Sequence, residues 1–273
     1  MAMRRPAIGV FDSGFGGLTV LKELIGHSLD ADYLYFGDTA RLPYGSKSTE
    51  TVSRFALGAC QYLEDRGAQL LVIACNTATA LALGQISAAA HVPVVGVIEP
   101  GAECAAAASR SRKVVVLATE ATVSSHAYQK ALAARGIEAR EKACPLLVPL
   151  VEEGWVDHPI TEQVAQIYVD QAFGERNEAD VLLLGCTHYP LLKPLLRRIA
   201  PRDVTLVDSA ESAATAVRKK LKLDPLPRLS EAERRSIPRL NFFATDSVEK
   251  FRRLGAMFLC HRIDHVEHVD LKE

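Results

Sequence analysis

Two cysteines occupy the same place in two similar stretches of the sequence. Cys75 follows an apolar run in "LVIACNTATA" (70–79), and Cys186 follows one in "VLLLGCTHYP" (181–190). Each thiol is followed by side chains that can hydrogen-bond a ligand: Asn76, Thr77, Thr187 and His188. A cysteine after a buried strand is more often a small core residue than a reactive one. The matched contexts are the reason to consider chemistry instead.

The position of each cysteine at the start of a predicted helix suggests what the thiol could do. The first backbone N–H groups of a helix have no partner within it, and they bind anions. The same groups lower the pKa of a thiol from its free value of ~8.5. Each motif is therefore predicted to bind a carboxylate and to activate a thiol.

Two opposed thiols admit two chemistries. One is a disulfide, which leaves the polar residues after each thiol without a purpose. The other is acid–base chemistry on the two faces of a planar carbanion beside a carboxylate. One thiolate would remove a proton, and the opposite thiol would return one with inverted configuration. Such a racemisation needs no cofactor.

Other thiol chemistries fit the sequence less well. No cysteine lies three residues from another, which argues against a thioredoxin-type pair and a zinc ribbon. Cysteine phosphatases need an arginine where leucine follows Cys75 and Cys186. Cys60 and Cys104 meet that spacing, but they lie in helical segments without a glycine-bearing phosphate loop. Acyl transfer stays open, because His188 is close to Cys186 in sequence.

Short β-branched runs alternate with helix-length segments along the chain. The predicted strands are 7–11, 33–36, 70–74, 92–97, 113–118, 181–185 and 204–208, and the clearest helices are 49–66 and 161–173. This alternation predicts an α/β fold with parallel sheets. Ligands bind beyond the carboxyl ends of strands in such sheets, where both cysteine motifs lie.

The motifs also recur in order, which predicts two related α/β halves that share one cleft. "GVFDSGFGG" precedes the first cysteine motif, and "VVVLATEATVSSHAY" precedes the second. Both read as a strand, a loop of small or hydroxyl residues, and a helix. The polar, proline-bearing segment 223–238 is predicted to be a surface excursion.

Three further loops carry candidate site residues, each with an ordinary alternative. Asp12 and Ser13 either belong to a turn that caps the following helix, or Asp12 receives a substrate ammonium or orients a thiol. Tyr44 lies between Pro43 and Gly45 in a loop that is either a plain surface turn or a cover over a small ligand. "GFGG" lacks the Lys-Ser/Thr of a phosphate loop, so nucleotide binding is disfavoured.

Two titratable side chains and one Asp-Ser pair are more ambiguous. His188 is either a core or capping residue or a group that tunes Cys186. Glu152 either caps a helix or faces the site. Asp208 and Ser209 are predicted to cap a helix.

The bulk composition excludes several classes of function. The chain has 273 residues, is 48% hydrophobic and carries a formal net charge of -1. This balance favours neither nucleic acid nor an anionic membrane surface. No signal peptide is expected, because the apolar run near residue 7 is too short, and no apolar run reaches the ~20 residues that span a membrane. A cytoplasmic protein is the expectation.

Seven motifs together resemble the glutamate racemase family. They are "FDSGFGGLTV", "YFGDTARLPYGSKS", "ACNTATA", "GVIEPGA", "PLVEEG", "LGCTHYPLL" and "LVDSA", in the order and spacing of the family, between about residues 8 and 212. The resemblance implies interconversion of L- and D-glutamate without a cofactor or metal, which supplies D-glutamate for peptidoglycan. It implies two pseudo-symmetric α/β domains, 1–98 plus 208–273 and 99–207, and a homodimer.

The resemblance also implies roles for individual residues. Cys75 would act on D-glutamate and Cys186 on L-glutamate, with Asp12 and His188 assisting catalysis. The substrate site would comprise Asp12, Ser13, Pro43, Tyr44, Gly45, Asn76, Thr77, Thr122, Thr187 and His188, with Glu152 a possible member. The alternatives are a racemase for aspartate or another amino acid, a thiol oxidoreductase using both cysteines, and a non-catalytic amino-acid-binding protein.

Overall fold

The computed structural model describes residues 6–27, 31–174, 178–221 and 238–271. Almost all of segment 223–238, predicted to be a surface excursion, lies outside the described residues. The strands, in chain order, are β1 Ala7–Asp12, β2 Asp32–Gly37, β3 Leu70–Ile73, β4 Val94–Gly96, β5 Lys113–Ala118, β6 Glu138–Ala143, β7 Val181–Gly185, β8 Thr205–Asp208, β9 Leu240–Ala244 and β10 Glu267–His268.

Helices connect the strands and cover the sheets. They are α1 Leu18–Gly26, α2 Thr49–Asp65, α3 Asn76–Ala89, α4 Ile98–Ala108, α5 Glu120–Ser125, α6 Ala127–Ala133, α7 Leu147–Glu152, α8 Pro159–Phe173, α9 Lys193–Ile199, α10 Ser209–Lys220 and α11 Val248–Leu259. Short 3₁₀ turns lie at Tyr44–Ser46 and Tyr189–Leu192. Asp208 caps α10 by accepting from the N–H groups of Ala210 and Glu211, as predicted.

The strands form two sheets with the same internal order. One sheet runs β10-β9-β2-β1-β3-β4 and the other β6-β5-β7-β8. Every pairing among the described strands is parallel. Within each half the first strand lies between the second and the third, and the fourth follows the third. The predicted α/β fold with two pseudo-symmetric parallel sheets is confirmed, whereas the residue boundaries of two domains stay a prediction.

All seven predicted strands are present. The structure has three further strands among the described residues that the sequence analysis did not predict, because their sequences lack the expected patterns. β6 has the sequence "EAREKA" and lies at a sheet edge with its residues exposed or half-buried, so it carries no apolar run. β10 has two exposed residues. β9 follows a segment without a recognisable motif, although its Phe242 and Phe243 are buried.

The apolar runs of the central strands explain why these strands form the core. β3 and β7 are buried along their whole length, because helices pack on both faces of each sheet. One large cluster of buried side chains includes residues from both sheets, among them Val10, Val72, Leu117 and Leu184. In the described part of the chain, no helix is both long and apolar enough to cross a membrane.

Candidate active site

A cavity of about 360 Å³ lies beyond the carboxyl ends of strands from both sheets. Its wall includes residues that follow β1, β3, β5 and β7, as the rule for parallel sheets predicts. The lining residues are Ser13, Gly14, Leu42, Pro43, Tyr44, Gly45, Ser46, Cys75, Asn76, Thr77, Thr119, Glu120, Pro145, Val148, Pro149, Glu152, Cys186, Thr187 and His188. Both cysteines of the two motifs therefore line the same cavity.

The loops that follow β1 and β7 contact each other directly. A Cβ atom at Gly16 would lie 2.2 Å from Thr187 Oγ1 and 2.5 Å from His188 Nδ1, so no other residue type fits there without rearrangement. The Thr19 hydroxyl donates to the Thr187 carbonyl at 3.0 Å. These contacts join the two halves at the cavity.

Cys75 lies at the N-terminus of α3 and is 5% exposed. Its sulfur accepts from the Ala78 N–H at 3.4 Å and lies 3.5 Å from Ser13 Oγ. Burial and the Asp12 charge raise the pKa of this thiol to about 11, although these hydrogen bonds lower it. The N–H groups at the helix terminus lower the thiol pKa, as expected, but desolvation outweighs them, so the net shift is upward.

Cys186 is equally buried and has a titratable neighbour. Its sulfur lies 3.9 Å from His188 Nδ1, and His188 Nε2 lies 3.3 Å from Glu152 Oε1. Burial also raises the pKa of Cys186 well above its usual value. With pKa values raised in this way, both thiols are protonated at neutral pH. All six cysteines of the chain are free thiols.

Asp12 lies behind the cavity wall. It is fully buried, and its Oδ2 accepts from the Gly14 N–H at 2.9 Å, while Oδ1 has no hydrogen-bond partner among the described residues. It does not cap α1, which begins after Gly17 without a side-chain cap. Burial raises the pKa of Asp12, although the His188 charge and the Gly14 N–H oppose this. Asp12 is thus a buried carboxyl group with one unpartnered oxygen among the described residues.

The loop of Pro43, Tyr44 and Gly45 forms one wall of the cavity, as its predicted role as a cover requires. The Tyr44 hydroxyl, however, donates to Asp38 Oδ2 at 2.6 Å. A Cβ at Gly45 would lie 2.9 Å from the Thr119 Cβ, so glycine permits this loop to approach the second half. The loop therefore lines the cavity, whereas the Tyr44 hydroxyl binds Asp38 and fixes the loop in place.

Two of the predicted polar residues bind neighbouring side chains as well as lining the cavity. The Asn76 amide accepts from the Tyr128 hydroxyl at 2.6 Å and donates to Ser209 Oγ at 3.2 Å. The Thr77 hydroxyl lies 2.9 Å from that of Thr119.

Thr122 does not line the cavity. It is fully buried, and its hydroxyl lies 3.3 Å from that of Thr77 and 2.9 Å from that of Thr119. It thus supports a neighbour that does line the cavity.

Several lining residues escaped the sequence analysis. They are Gly14, Leu42, Ser46, Thr119, Glu120, Pro145, Val148 and Pro149. Most carry no group that would identify a site, and they line the cavity because of where their loops run. Thr119 had a usable signal, since it directly follows β5. Within the described ranges, no group of three or more His, Cys, Asp or Glu side chains could hold a metal ion.

Comparisons with known proteins agree with this fold. The family model "Asp/Glu/Hydantoin racemase" matches residues 19–217, more than half of the chain. Glutamate racemase from Koribacter versatilis is 59% identical, with 99% of each chain covered.

Solved structures give the same result. Glutamate racemase from Francisella tularensis in complex with D-glutamate has a TM-score of 0.86 at 37% identity, with 98% of each chain covered. The Escherichia coli glutamate racemase in complex with L-glutamate and the activator UDP-MurNAc-ala has a TM-score of 0.80 at 26% identity, covering 98% of this chain and 100% of that one. The chain belongs to the Asp/Glu/Hydantoin racemase family of isomerases, and within it to the glutamate racemases. The resemblance seen in the seven motifs is thereby confirmed.

Proposed function

We propose that this protein interconverts L- and D-glutamate by proton transfer between Cα and two thiols, without a cofactor. The observation that carries the proposal is that Cys75 and Cys186 line one cavity, each at the end of a strand from a different sheet. The relatives from F. tularensis and E. coli, which hold D- and L-glutamate respectively, support the choice of substrate.

The α-carboxylate and ammonium groups of glutamate have partners of suitable chemistry in the cavity. The first N–H groups of α3, those of Asn76 and Thr77, have no acceptor within the helix and suit a carboxylate. Ser13 and Thr187 also line the cavity. Asp12 lies behind this wall and favours a nearby cation.

The proposed reaction takes place in two steps around a planar intermediate. The Cys75 thiolate removes the Cα proton of D-glutamate, and the electron pair of that bond delocalises into the bound carboxylate. The Cys186 thiol delivers its proton to the opposite face and gives L-glutamate. The reverse reaction begins at Cys186. His188 lies beside Cys186, whereas the Asp12 charge acts on Cys75 and raises the pKa of that thiol.

Burial makes either thiolate harder to form. A bound ammonium group supplies a positive charge near the thiols and favours ionisation. In this proposal the substrate therefore helps to activate the base that attacks it. The same proposal includes a cytoplasmic location, a homodimer, the two-domain division and a role in supplying D-glutamate for peptidoglycan.

The function is tested by circular dichroism of L-glutamate incubated with the purified protein. After dialysis against a chelator and with nothing added, the signal is expected to decay to zero, and D-glutamate is expected to react with the same kcat/KM, because the two enantiomers are equal in free energy. L-aspartate and other L-amino acids in parallel test the alternative substrates. A stable signal with binding of glutamate would instead identify a binding protein.

The raised pKa of Cys75 predicts that activity increases with pH. Since the thiol pKa is about 11, the thiolate fraction of the free protein grows by up to about tenfold per pH unit above neutrality. We expect kcat/KM to rise between pH 7 and pH 9 while far-ultraviolet circular dichroism shows an intact fold. A flat profile would mean that the thiols are already ionised in the free protein.

A further inference from the structure

A chain of polar contacts connects α11 to the second thiol. Lys250 Nζ lies 3.2 Å from Glu152 Oε2, and the other carboxylate oxygen lies 3.3 Å from His188 Nε2. His188 Nδ1 in turn lies 3.9 Å from Cys186 Sγ. The mechanism above uses the histidine and the thiol but gives Lys250 no role.

The hydrogen-bonding chemistry of these groups determines which nitrogen of the His188 imidazole donates to Glu152. An ionised carboxylate only accepts hydrogen bonds, so His188 Nε2 carries the hydrogen that points to Glu152. The other ring nitrogen, Nδ1, then faces the Cys186 thiol. Lys250 donates to the oxygen that His188 does not use, so both oxygens of Glu152 are held. Burial raises the pKa of Glu152, but His188 and Lys250 outweigh it and keep that pKa below its usual value.

The helix that carries Lys250 packs on the other half of the molecule. α11 packs against α1, beside the first sheet, whereas Glu152 ends α7, beside the second. Phe258 of α11 contacts the His188 ring edge-on, with centroids 5.1 Å apart. The Lys250 ammonium lies 5.4 Å from the centroid of the Phe15 ring. α11 therefore acts on His188 in two ways. Phe258 packs against the imidazole ring, and Lys250 binds the carboxylate of Glu152 that contacts the ring.

We propose that Lys250 is a positioning residue for Cys186, acting through Glu152 and His188 across the cleft. The proposal rests on the two-thiol function above and adds a group that does not line the cavity. The charged groups that act on Glu152 are Lys250 from α11, His188 after β7 and, more weakly, Asp12 after β1. Lys250 is thus the only cation of α11 in the chain of contacts among the described residues.

The first test compares neutral and charged substitutions of Lys250. Lys250→Met keeps the aliphatic stem over Phe15 and removes the charge, and Lys250→Gln is a second neutral variant. We expect both to lower kcat about fivefold, as a half-exposed ion pair allows, with KM changed by less than about twofold because Lys250 does not reach the cavity. Lys250→Arg, which keeps the positive charge, is expected to retain the parental kcat.

The matched control removes a similar ion pair away from the cavity. Lys219 of α10 lies 3.1 Å from Glu103 of α4, and both side chains are exposed. Lys219→Met is expected to leave kcat unchanged. A parental kcat in Lys250→Met and Lys250→Gln would overturn the role of Lys250. A kcat in Lys250→Arg as low as in the neutral variants would also overturn it.

The second test distinguishes positioning of Cys186 from a general structural effect. The probe is 3-chloroglutamate: a thiolate takes the Cα proton, chloride leaves Cβ, and water converts the resulting enamine to 2-oxoglutarate and ammonium. In a Cys75→Ser background only Cys186 acts, on the L-form; in a Cys186→Ser background only Cys75 acts, on the D-form.

Adding Lys250→Met is expected to slow chloride release from the L-form about fivefold in the first background and to leave release from the D-form unchanged in the second. Equal slowing of both would overturn the role of Lys250 and leave the two-thiol function intact. If neither background releases chloride while Lys250 is still present, the result contradicts the two-thiol function and, with it, the role of Lys250.

Discussion

Cys75→Ser and Cys186→Ser are each expected to lower the rate of racemisation by at least ~10³-fold in both directions, within the range for loss of a proton-transfer group. A serine hydroxyl is a far weaker acid than a thiol, and its alkoxide is inaccessible at neutral pH. Because every turnover uses both thiols, one as base and one as acid, neither variant completes the reaction. Circular dichroism of L- and D-glutamate measures the loss.

The half-reactions separate the two thiols. Each variant keeps one thiol, so Cys75→Ser is expected to exchange or eliminate at Cα of L-glutamate substrates and Cys186→Ser at Cα of the D-forms. Cys60→Ser is the matched control, because Cys60 is as buried as the other two but lies in α2, away from the cavity. It is expected to lower stability and to keep the parental rate. Processing of the same enantiomer by both site variants contradicts the assignment.

Asp12→Asn and His188→Asn are expected to lower kcat strongly while the fold stays intact. At least one should fall by ~10²-fold or more, the lower range for a proton-transfer group. Asp12 Oδ1 has no partner among the described residues, and an amide oxygen can still accept from Gly14, so Asn loses no packing. Removing a buried carboxyl group also lowers the cost of desolvation. Unfolding midpoints are therefore expected within a few degrees of the parent.

An acid-to-amide change at the other end of β7 provides the control. Asp180 precedes this strand and accepts from Ser109, Ser111 and the Arg110 N–H, far along the strand from Cys186. Asp180→Asn is expected to cost about 1 kcal/mol of stability and to leave kcat at the parental value. If Asp12→Asn and His188→Asn turn over normally, both side chains are structural.

The sequence predicted the placement of the two thiols because a general rule of parallel sheets determines it. The strands that precede Cys75 and Cys186 are apolar throughout, which predicts central strands of parallel sheets. The carboxyl ends of such strands face the site. The requirement for glycine at Gly16 and Gly45 could not be predicted from the sequence. It arises because Thr187 and Thr119, from distant parts of the chain, lie against these two positions.

Other features depend on tertiary contacts that no local pattern encodes. The use of the Tyr44 hydroxyl to hold its own loop requires Asp38 to be buried beside it. The raised thiol pKa depends on the degree of burial, which outweighs the helix terminus that the sequence does reveal. Lys250 lies on a helix after a segment without recognisable motifs, and only the fold brings it to Glu152.

Deuterium incorporation by the parent protein tests the two-thiol reaction most directly. L-glutamate is incubated in heavy water, and both enantiomers are separated at low conversion and analysed by mass spectrometry. Because the Cys75 thiol exchanges with solvent and delivers its own hydrogen, the D-glutamate formed is expected to carry one deuterium at Cα while the remaining L-glutamate carries none. D-glutamate that keeps its original hydrogen, or equal labelling of both enantiomers from the start, would show that one base serves both faces and would contradict the account.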